Sequence, residues 1–157
     1  MKQIVKRGAA VIAAGVAMAG ALVVSSPASA ATTTTTCGSQ VLISGLNVKA
    51  CVDVTGAQAR FYGTVGAPGI AEPGPGGVIT PQRADAEVSG QVVGGLFLGS
   101  RRTPVSIWNN VVTVEGVTAT VPCGSTVRGE VRLSQGPIGP SGFGASSAAV
   151  NVSVTCE

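Results

Sequence analysis

Histidine is missing altogether from the 157 residues, and other chemically useful side chains are scarce. Without histidine there is no Ser–His or Cys–His nucleophile pair, and the commonest metal ligand is gone. Gly-x-Ser-x-Gly does not occur, nor does a phosphate loop ending in Gly-Lys-Ser/Thr. The only aromatic residues are Phe61, Tyr62, Phe97, Trp108 and Phe143, too thin a set for a base-stacking platform. Leu, Lys and Glu are sparse beside Gly, Thr, Ser and Val, a balance that disfavours helices and suits strands and turns. The sequence does not name a reaction.

What is present begins with a leader. Lys2, Lys6 and Arg7 form a positive start, an apolar run rich in Ala, Val and Gly extends from Gly8 to Val24, and Ala28-Ser29-Ala30 closes it with small residues. This is the pattern of a secretory signal, predicted to be cleaved after Ala30; the run is short for a membrane span. The leader and composition resemble those of small exported bacterial proteins, a likeness that implies a destination and no activity.

Three of the ten basic residues lie in the leader, which leaves seven against seven acidic residues. The mature chain is thus expected to carry no basic footprint for nucleic acid and no anchor to a membrane after cleavage. Residues 31–36 read as a Thr-rich flexible N-terminus, and residues 37–157 as a single domain. Four cysteines in an exported chain of this size point to disulfides; with no close Cys-x-x-Cys pair, zinc is not expected, nor is any other cofactor.

Period-two alternation of apolar residues recurs along the domain, the mark of half-buried strands. A two-residue turn at Gly56-Ala57, suited to type II′, pairs Val54 with Ala59, Val52 with Phe61 and Val48 with Val65 on one face. The same register sets Asp53 against Arg60 and Cys51 against Tyr62 on the other. Glu115-Gly116 reads as a second hairpin turn. A third hairpin joins Val127–Leu133 to Ala148–Val154 through a loop from Gln135 to Ala145. Pairing Val127 with Val152 in that hairpin aligns Cys123 with Cys156, which predicts a disulfide there and leaves Cys37 to pair with Cys51. Fainter strands are expected at Gln40–Ser44, Ala84–Val93, Leu96–Leu98 and Thr103–Trp108. Gly66–Gln82, with four prolines and five glycines, is expected to be a long loop. The expected fold is an all-β antiparallel sandwich, immunoglobulin-like or Greek-key, with eight or nine strands and two disulfides.

Few constellations remain for function. Asp85 and Glu87 project from one strand face; a carboxylate pair can do acid–base work or bind calcium, but a solvated face answered by Arg101 or Arg102 explains them as well. The candidate binding residues are Trp108, Asn109, Arg101 and Arg102. Trp108 and Asn109 offer a ligand-stacking edge, although a lone tryptophan in a β-domain ordinarily serves packing. Arg101-Arg102 offers dibasic bait to a trypsin-like protease, although such pairs commonly solvate a turn. The expectation is a secreted, non-catalytic module that binds an extracellular protein or cell-surface component. The alternative is a protease inhibitor that presents Arg101-Arg102 or a Pro/Gly loop.

Overall fold

The computed structural model describes residues 32–67, 81–134 and 147–156. The leader expected over 1–30, the middle of the Pro/Gly loop with Glu72, and the Gln135–Ala145 loop with Phe143 lie outside the described residues.

Nine strands and no helix make up the regular structure of the described residues: β1 (Thr33–Cys37), β2 (Val41–Ile43), β3 (Leu46–Thr55), β4 (Gln58–Gly66), β5 (Gln82–Val92), β6 (Phe97–Ile107), β7 (Val111–Thr120), β8 (Thr126–Ser134) and β9 (Ser147–Ser153). They form two antiparallel sheets. The first runs β1-β3-β4-β7, with β2 beside β3; the second runs β6-β5-β8-β9. Val, Ala and Phe61 from the inner faces of both sheets make one core, as strand alternation requires of two sheets packed face to face. No helix among the described residues is long and apolar enough to cross a membrane.

The β3–β4 hairpin has the predicted register, with Val54 opposite Ala59, Val52 opposite Phe61, Cys51 opposite Tyr62 and Asp53 opposite Arg60. Gly56 takes φ 55° in its turn while Ala57 does not take positive φ, as a type II′ turn demands. The β8–β9 ladder likewise sets Val127 against Val152. Both disulfides are formed, Cys37–Cys51 and Cys123–Cys156, and no described cysteine is free. Oxidised cysteines suit an oxidising, extracellular environment.

Three expectations are corrected. Residues 33–36 do not fray: they form β1, whose β-branched threonines pair with β3 from Thr33–Thr55 to Cys37–Cys51, where the disulfide fastens the strand. Glu115-Gly116 is not a hairpin turn, because β7 runs straight through it and pairs along its length with β4. The ladder slips by one residue between Arg60 and Tyr62, so Gly116 lies at a bulge rather than a reversal. A Cβ there would lie 2.5 Å from Val88 Cγ1 and 2.7 Å from the Phe61 carbonyl oxygen, which explains the glycine by crowding. Third, the segments expected at Leu96–Leu98 and Thr103–Trp108 are two ends of one eleven-residue strand, β6.

Candidate functional site

Each sheet has an outer face, and ladder partners fix what shares it. On the first sheet, Asp53, Arg60 and Tyr62 lie among the threonines Thr33, Thr35, Thr55, Thr64, Thr113 and Thr118. Arg60 spans two carboxylates: Nη1 donates to Asp53 at 2.9 Å, and Nε donates to Glu115 at 3.1 Å. Its guanidinium carbon stands 4.9 Å from the centre of the Tyr62 ring, and the Thr35 hydroxyl donates to Asp53 at 2.7 Å. The Glu115 hydrogen bond, with the charges of both carboxylates, holds the Arg60 pKa above its ordinary value. Partial burial, then the negative charge of Asp53, pushes the Tyr62 phenol up. An arginine locked between two carboxylates orders the surface around it.

On the second sheet, the outer face carries Asp85, Glu87, Ser89 and Gln91 from β5 and Arg128, Glu130 and Arg132 from β8. Asp85 and Glu87 do share this face, as their spacing predicts. Arg102 reaches Glu87 across the β5–β6 ladder, with Nη2 to Oε2 at 3.5 Å, so the carboxylate is answered by the second of the two arginines. Arg132 donates to Glu130 at 2.9 Å. Burial raises the Glu130 pKa, but hydrogen bonds from Arg132 and Ser147 outweigh it and hold the carboxyl below its ordinary value. No group of His, Cys, Asp and Glu able to hold a metal occurs among the described residues.

The four candidate binding residues do not form one site. Arg101 and Arg102 lie within β6, not on a loop, and successive strand residues point to opposite faces. Arg102 is on the outer face. Arg101 stands opposite Val88 on the inner face yet is exposed, because β6 is an edge strand. An inward-facing charge on an edge strand, with Pro104 three residues on, blocks pairing with another sheet. Trp108 and Asn109 lie in the short β6–β7 connection, where Trp108 is 55% exposed and its backbone N–H donates to Asn110 Oδ1 at 3.2 Å. Trp108 is a rim residue, with Val111, three residues on, also exposed.

A second apolar group sits at the β5–β6 turn: Val93, Leu96 and Phe97 are all exposed. Phe97 is paired with Gln91, Gln91 with Arg128, and Arg128 with Asn151, a single row across all four strands. Sequence patterning puts Gln91, Arg128 and Asn151 outward on their own strands, and the Val127–Val152 register sets Arg128 against Asn151, but Gln91 joins them only through the β5–β8 pairing, which has no local signal. Compared with protein-family models, with curated proteins and with solved structures, the chain has no match.

Proposed function

We propose that this chain is a secreted, non-catalytic module that acts by binding an extracellular protein or a cell-surface component. One observation carries the reading: large apolar side chains stand in solvent in two groups on a disulfide-clamped scaffold, Val93, Leu96 and Phe97 at the β5–β6 turn and Trp108 with Val111 at the β6–β7 connection. Rigid strands that present exposed aromatic and aliphatic residues are what a recognition surface needs. The surface carboxylates Asp53, Glu87, Glu115 and Glu130 are each taken by an arginine, which favours binding over acid–base chemistry. Strand order supports an immunoglobulin-like sandwich: counted from β3, the second strand pairs with the fifth and the third with the sixth. Export through the leader ending at Ala30 belongs to the same reading.

The test is retention of the purified, oxidised chain on cell-surface material and secreted proteins of the producing organism. Saturable retention weakened by Leu96→Ser or Trp108→Ala is the expected result. Absence of saturable retention on either fraction would end the proposal.

A further inference from the structure

Alternation along β6 places Thr103, Val105 and Ile107 on the core side, opposite Ala86, Ala84 and Gln82. Continued without interruption, it would send Phe97, another odd-numbered residue, inward as well. The β5–β6 ladder instead slips by one residue between Gly90 and Gln91, so that Gly90 faces Gly99 while Gln91 faces Phe97 and Leu98 has no partner. Leu98 packs against the core, and Phe97 is turned out to 60% exposure. Gly99 makes this possible, with φ 127°, a conformation closed to side-chain-bearing residues. The backbone thus sets aside its alternation at one point, and the result is an aromatic ring in water beside Gln91, at one end of the row that continues through Arg128 to Asn151.

From this row we infer a binding strip for an acidic oligosaccharide, a chain of pyranose rings that carry carboxylates. The inference rests on the proposed binding function and names its ligand class. Phe97 offers a ring face to the C–H face of a pyranose. Gln91 and Asn151 each offer a donor and an acceptor side by side, matching hydroxyls that are both. Neither amide is engaged with another described residue. Arg128 makes no ion pair among the described residues, unlike Arg60, Arg102 and Arg132. It acts on Glu130 only through space, helping to hold that carboxyl low, so its guanidinium fork has donors left for a ligand carboxylate. Three inter-strand spacings give the row a length of roughly 14 Å, room for a short run of sugars laid across the strands. A membrane surface would use the apolar tip but has no need of two amides and an arginine in register with it.

The experiment is an amide-resolved NMR titration of the oxidised chain with tetramers of galacturonic acid and of mannuronic acid, and with their methyl esters. At least one acid tetramer should shift the amides of Gln91, Phe97, Arg128 and Asn151 saturably. Phe97→Ala should weaken it about tenfold, and Arg128→Gln should erase the preference for acid over ester, with the remaining spectrum unchanged in both variants. No saturable shift with either acid, shifts located elsewhere, or binding indifferent to Phe97→Ala would overturn the inference. So would Phe97-dependent partition onto phosphatidylglycerol vesicles without sugar binding, which assigns the tip to lipid. Retention on cell-surface material that survives Phe97→Ala would leave the general binding function standing and end this strip alone.

Discussion

Phe61 and Gly90 face each other across the two sheets, and the ring of one fills the space where the other has no side chain. A Cβ on Gly90 would lie 2.6 Å from Cδ2 and Cε2 of that ring, and Phe61 is among the largest fully buried side chains. The sheets are therefore as close at this point as packing allows.

Gly90→Ala should accordingly cost roughly 1–3 kcal/mol through overpacking, and Phe61→Ala about 3–5 kcal/mol through the cavity it leaves. Chemical denaturation measures both. The double variant Gly90→Ala with Phe61→Leu should recover part of the loss, because residues in contact are not additive. A loss equal to the sum of those of the Gly90→Ala and Phe61→Leu single variants would show that they do not meet.

The two disulfides should act differently. Cys37 and Cys51 close 14 residues and fasten an edge strand, while Cys123 and Cys156 close 33 residues and tie the β7–β8 turn to the chain's end. Loop closure alone assigns them about 3 and about 4 kcal/mol. Replacing Cys37 and Cys51 together by serine should also speed hydrogen exchange in β1 ahead of the other strands. Uniform loss of protection across all strands would contradict a local fastening role.

Stability should be level through neutral pH and fall at both ends. Glu130, held below its ordinary 4.5, stabilises the fold above that value; the contribution is lost as pH drops through the folded pKa. Tyr62, pushed above its ordinary 10.0, contributes below that value, and the contribution is lost as pH rises through the folded pKa. Glu130→Gln should flatten the acid limb of a pH–stability profile, and Tyr62→Phe the alkaline limb. Unchanged limbs would place these groups in solvent.

Ser44 is the only described non-glycine residue with positive φ, at 51°, and with Gly45 at 77° it makes the two-residue β2–β3 turn. Both central residues are left-handed, the type I′ pattern that favours Asn-Gly. Ser44→Asn should raise stability by a few tenths to about 1 kcal/mol, read as a higher denaturation midpoint. A lower midpoint would contradict this turn type.

What the sequence makes legible is local. The Gly56 hairpin sorts Val52 and Phe61 to one face and Asp53 and Arg60 to the other within a dozen residues, so its register can be read without the fold. Cys123 and Cys156 follow from one strand pairing in the same way. Gly116 misleads because its reason is non-local: β4 and the Val88 side chain, far off in the chain, crowd it, and without them a glycine in a valine-rich stretch reads as a turn. The threonines of β1 look like a frayed end because nothing near them in sequence is their partner. Gln91 and Arg128 meet only through the β5–β8 ladder. Phe97 faces outward only because of a one-residue slip that alternation does not foretell.

Whether Phe97 stands in solvent is the most direct question to put to the protein. Phe97→Trp in a Trp108→Phe background leaves one tryptophan as the reporter. Red-shifted fluorescence open to iodide quenching, with stability within about 0.5 kcal/mol of the parent, is the expected result. Blue-shifted, quencher-protected emission with a loss beyond about 2 kcal/mol would place residue 97 in the core and contradict the bulge.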